Sequence, residues 1–578
     1  MSDSIAFAEL DENSNAPSSP TRQQQRTGNI SSGPRRSEST PLKQAAIEQR
    51  QKDLHAIIMA FVIFTCGVTF ALAVAIILGS PEVKKHGAIV TWTKACSEVG
   101  VNLMKEGGSA VDAAIGAFLC IAVTRPQSDG LGGGGFMIVH DHVKHNSTLL
   151  DFRETAPKAV LTPAPDTTEL RLSGKGVGVP GNIKGLHEAH QRFGKLPWSR
   201  LFKMAIDKAN DGFVVTKDHV ADYARRKADI NTMNGRNYEG FKNFQQMWSQ
   251  RKVGDKMQNV HLARTLDKLS KDPTLFYKGE IANDIVNTVK NAGGSMTLED
   301  LTNYEVIVDR KPIIANFSGI QLEAFPAPSS GLLVLRALAG LEQLTAEERT
   351  KPDRILTVLQ DHINGCRNLL GDPNIHREIL KSETDLKSIN ITCPGAAKVS
   401  STPEATTTTA TVAQTTKITH GTSHISVIDG DELMVSYSGS LNYWYGSMLL
   451  TSSGFLLNNE LLDFDASMEF NHYTPGARPA SSMTPIIGYH PAHSCDARFA
   501  IGGINGTFIP GSLAQVLYHM LLEHKPPLAS LTEGRQCTVE GLPECAIDPD
   551  AFGTISLAYK RETELTAVND DGPVGLIY

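Results

Sequence analysis

A chain of 578 residues, 41% hydrophobic and 20% charged, is long enough to bury one large core or several smaller ones. Its formal net charge of −7 gives no electrostatic reason to propose nucleic acid as a partner. The eight cysteines form no Cys-x-x-Cys pair, which argues against a structural zinc site, and nothing else in the sequence asks for a metal or cofactor.

Residues 1–55 are rich in Ser, Pro, Gln and Arg with little hydrophobic periodicity, and they read as a disordered cytosolic tail. Residues 56–78 carry no charge and are long enough to cross a bilayer as one helix. A cleaved signal would begin near residue 1, whereas a long polar stretch precedes this one. Arg35, Arg36, Lys43, Arg50 and Lys52 stand before the span against Lys84, Lys85 and Lys94 after it. This bias orients the N-terminus to the cytosol and the remainder outside or in a lumen, as in a single-pass type II protein. The sequons at Asn146, Asn316, Asn390 and Asn505 fall on the outer side, and the first three are glycosylation candidates. Cys96 and Cys120 either pair there as a disulfide or stay as two buried thiols.

After the span, residues 88–92 read as a strand and a helix carries Cys96 to Lys105. Ser109 and Asp112 form a capping pattern that opens an Ala-rich helix to about Val123. The glycine run Gly130–Gly135 precedes a strand at 136–140. Residues 180–390 read as mostly helical, and 398–420 as an exposed Thr-rich linker. Residues 425–428 and 433–437 are strand-like and joined by Asp429-Gly-Asp-Glu432, a tight hairpin. A further strand at 498–502 leads through Gly503-Ile-Asn-Gly506 into a helix from about 512 to 523.

Gly130-Leu-Gly-Gly-Gly-Gly135 matches GxGxxG, but a dinucleotide site needs strand, turn and helix in that order, and here a helix precedes and a strand follows. His187-Glu-Ala-His190 has i, i+3 spacing, which does not reproduce the HExxH zinc geometry. Gly421-Thr422 ends the flexible linker and begins the hairpin. A threonine whose own α-amine is freed by cleavage can act as a nucleophile, the amine taking the hydroxyl proton. Glycine before it allows the backbone to bend the hydroxyl onto the preceding carbonyl.

From about Gly87 to Gly511 the chain resembles the gamma-glutamyltransferases (glutathione hydrolases). The resemblance rests on ordered motifs: Gly107-Gly-Ser-Ala-Val-Asp-Ala-Ala, Gly130-Leu-Gly-Gly-Gly, Asp151-Phe-Arg-Glu-Thr-Ala-Pro, Val177-Gly-Val-Pro-Gly, Leu369-Leu-Gly-Asp-Pro, Gly421-Thr-Ser-His-Ile-Ser-Val, Asn458-Asn-Glu-Leu-Leu-Asp-Phe and Ser481-Ser-Met-Thr-Pro. The tail and the single span are most similar to a membrane-anchored paralogue within that family.

The resemblance implies an α+β fold, the αββα sandwich of N-terminal-nucleophile hydrolases, matured by self-cleavage between Gly421 and Thr422 into a large-subunit region (87–421) and a small-subunit region (422–578). It implies hydrolysis or transfer of the gamma-glutamyl group of glutathione and its conjugates through an acyl-enzyme on Thr422, with water, amino acids or dipeptides as acceptors, at a membrane such as the plasma membrane. Arg153 aligns with the arginine that holds the donor α-carboxylate, for which a forked guanidinium is suited. Ser481 and Ser482 align with serines at the same carboxylate. Asn442, Glu460 and Asp463 align with groups at the α-amino end. Departures accompany these matches. The family's oxyanion-hole Gly-Gly pair reads Asn505-Gly506, with asparagine tolerating a left-handed backbone. The supporting threonine reads Ser440, and His420 and Gly439 differ from common family residues. After about Leu531 the usual basic, histidine-containing segment is missing, which would remove small-subunit strands. The alternative reading is a catalytically inactive membrane-anchored homologue acting through partner binding.

Overall fold

The computed structural model describes residues 41–78, 86–159, 165–308, 310–377, 421–539, 554–570 and 575–578. These fall into two units divided between Lys84 and Lys85. In the first, a single helix runs Pro41–Leu78. Its stretch Ala45–Val74 is long and apolar enough to cross a membrane, and the protein buries none of its apolar window, so it fits a membrane anchor by length and composition. The helix reaches back into the segment whose composition reads as a disordered tail. The reason is local: Lys43-Gln-Ala-Ala-Ile-Glu-Gln-Arg50 consists largely of strong helix formers.

The second unit holds two stacked antiparallel sheets. The first runs, edge to edge, Leu576–Ile577, Ala88–Val90, Ser423–Ile428, Leu433–Ser440, Gly134–Asp141, Asn146–Phe152 and Ile307–Val308. The second runs Glu564–Asn569, Ile555–Arg561, Arg498–Gly503, Ile486–Tyr489, Ile320–Ala324 and Ile313–Phe317. Alternation along the central strands assigns their faces. Ile425, Val427, Val435 and Tyr437 join the core under the helix Ala110–Thr124, while Ile428 and Met434 point into the layer between the sheets with Ala500 and Ala558. Helices Gly331–Glu342 and Ile509–Leu517 cover the far side of the second sheet through Leu338, Leu513 and Leu517. The order of layers is helix, sheet, sheet, helix.

Small polar residues let the sheets approach closely beside the site. Ser436 Oγ donates to the Ile501 carbonyl across the layer at 3.0 Å. The imidazole of His424 is hydrogen-bonded to Ser438 and Ser426 and packs where a Cβ at Gly502 would lie 2.2 Å away. Burial pushes His424 down to about 3, so it packs there as the neutral ring.

Ser109 and Asp112 form the expected capping box. Cys96 and Cys120 are joined as a disulfide, which ties helix Lys94–Lys105 to Ala110–Thr124. Two expectations are corrected. The region read as mostly helical contains the hairpin Ile313–Phe317 and Ile320–Ala324, whose alternating buried residues complete one edge of the second sheet. In the C-terminal region, Ile555–Arg561 and Glu564–Asn569 close the other edge of that sheet. The helix expected from about 512 starts earlier, at Ile509, and runs on into a π-helical turn, Tyr518–Leu522. The Thr-rich linker and Asn390 lie outside the described residues, while Asn146 and Asn316 are exposed.

Candidate active site

Strand pairing sets Ser423 opposite Gly439, so Thr422 and Ser440 emerge together at one end of the central hairpin. Gly421, just before the strand, has φ 142°, a conformation that side chains disfavour. A Cβ there would lie 2.6 Å from the Asn442 carbonyl oxygen. In this bend the Thr422 hydroxyl donates to the Gly421 carbonyl oxygen at 2.6 Å. The Ser440 hydroxyl donates to the same oxygen, also at 2.6 Å. Ser440 is itself held by the Asn442 backbone N–H at 2.7 Å. Both hydroxyl residues are buried.

Beside this carbonyl lies a buried charge cluster. Arg153, fully buried, pairs with Glu460 at 2.6 Å, Asp463 at 2.7 Å and Glu154 at 3.4 Å. Its remaining donors reach the Pro479 and Ala480 carbonyls. Burial opposes the guanidinium charge, but the three carboxylates outweigh it and hold the proton more tightly than usual. Three acids around one cation cannot all ionise cheaply. Burial pushes Glu460 up to about 7 against the pull of Arg153, and burial with the neighbouring Glu460 pushes Glu154 well up. Asn442, at φ 73°, donates from Nδ2 to Asp463 Oδ1 at 2.8 Å. Three buried acceptors have no hydrogen-bond donor: Asn442 Oδ1, Glu460 Oε1 and Glu154 Oε1. Such orphans are costly unless a ligand supplies N–H groups.

Ser481 and Ser482 sit in the loop whose Pro479 and Ala480 carbonyls grip Arg153. Ser481 is buried and its carbonyl is held by Ser330 Oγ, whereas Ser482 is half-buried. Asn505 follows strand Arg498–Gly503, whose Gly502 packs against His424 near the start of the facing strand. It adopts φ 85°, ψ 40°, and Gly506 has φ 57°. Asparagine thus tolerates this turn, as its residue type allows.

Sequence reasoning missed several members of the site. Glu154 was within reach, being the neighbour of Arg153 in a quoted motif. Asn458 is a hub: its side chain bonds Gly132 O, both backbone groups of Gly178, and the Glu460 N–H. It thereby fastens the glycine loop, the Val177–Gly181 turn and the acidic cluster together. Asp129 lies under Ser423. Among the described residues, no group of three or more His, Cys, Asp or Glu could hold a metal ion. His187 meets Trp198 edge-on and His190 lies tilted against the same ring instead.

The helix, sheet, sheet, helix order of layers is the sandwich of the N-terminal-nucleophile hydrolases. A cephalosporin acylase from Bacillus halodurans has the same fold, with TM-score 0.67 at 20% identity over 86% of this chain and 96% of its own. The chain belongs to the gamma-glutamyltranspeptidase family, whose model matches residues 96–554. Glutathione hydrolase 7 of Rattus norvegicus is 32% identical over 87% of this chain and 77% of its own length, and the Homo sapiens protein of that name matches equally. Glutathione hydrolase 3 of Arabidopsis thaliana is 32% identical over 78% of this chain and 72% of its own.

Proposed function

We propose that this protein cleaves itself before Thr422 and then hydrolyses or transfers gamma-glutamyl groups, glutathione and its conjugates being the donors. The observation that carries the reading is the convergence of the Thr422 and Ser440 hydroxyls on the Gly421 carbonyl. Attack of Thr422 Oγ on that carbonyl carbon transfers the acyl chain from nitrogen to oxygen. Ser440 stabilises the oxyanion, and water then hydrolyses the ester. The products are a carboxylate on Gly421 and a free α-amine on Thr422.

In the mature protein that amine takes the Thr422 hydroxyl proton as Oγ attacks the donor amide. The tetrahedral oxyanion lies against the backbone N–H groups of Asn505 and Gly506. Collapse expels the leaving amine with the proton, and water or an acceptor amine removes the glutamyl group from Thr422.

The donor's α-carboxylate takes the fork of Arg153, with Ser481 and Ser482 beside it. Its α-ammonium satisfies Asn442 Oδ1, Glu460 Oε1 and Asp463. A zwitterion thus enters the existing ion-pair cluster by exchanging partners, which leaves no charge unpaired.

The orientation that places this body outside the cytosol is supported by the Cys96–Cys120 disulfide, which belongs to oxidising compartments. The test is release of the aniline from a gamma-glutamyl anilide by purified full-length protein. A self-cleaved protein that releases none contradicts the reading.

A further inference from the structure

Asp129 is fully buried between the helix Ala110–Thr124 and the glycine loop. Its Oδ2 accepts from Ser423 Oγ at 2.6 Å and from Tyr437 OH at 2.8 Å. Its Oδ1 accepts from the Gly130 N–H at 2.8 Å and Asn182 Nδ2 at 2.9 Å. Four donors converge on one carboxylate, an arrangement that favours its ionised form.

Ser423 follows the nucleophile directly and opens its strand. The residue opposite it is Gly439, and its bareness makes the space. A Cβ there would lie 2.4 Å from Asp129 Oδ2 and 2.0 Å from the Tyr437 hydroxyl.

We infer that Asp129 is a positioning residue for the nucleophile: as the ionised acceptor it holds Ser423 Oγ, and so fixes the backbone from which the Thr422 hydroxyl is aimed. The inference rests on the proposed gamma-glutamyl chemistry and adds to it a residue that touches no substrate.

The groups facing Asp129 are Ser423 and Tyr437 from the hairpin, Asn182 from the helix Asn182–Phe193, and the Gly130 backbone, with Glu154 the nearby acid that acts on it through space. Burial raises the carboxyl to about 6 against those four hydrogen bonds. Burial also pushes the Tyr437 phenol well up, so it remains a donor. The sign follows: above about pH 6 the carboxylate accepts all four bonds, and below it a proton displaces one and loosens Ser423.

The experiment uses the full chain and measures fragment formation together with kcat and KM for a gamma-glutamyl anilide between about pH 5 and pH 8. Asp129→Asn is expected to lower kcat about tenfold at the alkaline end with KM within about twofold, because misaiming a nucleophile acts on turnover. The ratio of wild type to variant should shrink toward one as pH falls below about 6. Ser423→Ala should reproduce the loss, Ser423→Thr should restore turnover, and the double variant Asp129→Asn with Ser423→Ala should be no worse than either alone.

An unchanged kcat in Asp129→Asn, a loss that does not vary with pH, or single losses that multiply in the double variant would each overturn the assignment. If Asp129→Asn fails to accumulate, equal turnover in Ser423→Ala and Ser423→Thr overturns it. Wild type that releases no aniline removes the gamma-glutamyl reading and this inference with it, whereas active wild type with an unaffected variant removes the inference alone.

Discussion

The Ser440 hydroxyl donates to the carbonyl oxygen of Gly421, nineteen residues back along the chain, at 2.6 Å. Two hydroxyls on one oxygen polarise the peptide that self-cleavage would break. Ser440→Ala removes one oxyanion donor and should slow fragment formation by roughly a hundredfold. Thr422→Ala should leave one uncut chain. A denaturing gel followed over time reads both, and a Ser440→Ala protein that matures at the wild-type rate would contradict this role.

Arg153 is the only cation in contact with Glu154, Glu460 and Asp463 among the described residues. Arg153→Ala leaves buried acids uncompensated and should cost about 3–5 kcal/mol of stability. The loss should be larger at alkaline pH, where Glu154 and Glu460 ionise, and smaller in acid. Donor KM should rise more than kcat falls. Thermal melts at two pH values, with steady-state kinetics on the folded fraction, check each part.

Glu460 sets a pH dependence of its own. With its carboxyl raised to about 7, it accepts a donor ammonium fully only above that value, so donor KM should rise as pH falls through about 7. For stability the sign is opposite. A folded-state pKa above the ordinary carboxylate range stabilises in acid, and the benefit is lost as pH rises through about 7. Relative to Glu460→Gln, wild type should lose stability between acid and alkaline conditions. Denaturant melts across pH check this, and parallel curves for the two proteins would count against it.

The Cys96–Cys120 bond closes a loop with sequence separation 24. Replacing both cysteines by serine should cost about 3 kcal/mol through the freer unfolded chain. A non-reducing thermal melt reads the loss. Equal melting temperatures for the two proteins would show that the bond adds nothing to stability.

Local signals carried much of the architecture into the sequence. The Asp429–Glu432 turn between two short apolar runs announced the central hairpin, and Ser109 with Asp112 announced the helix Ala110–Thr124. The hairpin at Ile313–Ala324 was hidden although its residues alternate, because each strand is short and helices flank it on both sides.

The site shows the same division. Thr422 and Arg153 were legible from motif resemblance. The pairing of Arg153 with Glu460 and Asp463 joins residues about three hundred positions apart, a distance at which no periodicity speaks. Asp129 had no local signature either, because its meaning comes from the Ser423, Tyr437 and Asn182 donors that the fold brings to it.

The most direct measurement is N-terminal sequencing of the smaller fragment from purified, full-length protein. The account predicts two fragments, with the smaller beginning Thr422-Ser-His-Ile. A single intact chain in active material, or a smaller fragment beginning at any other residue, would contradict it.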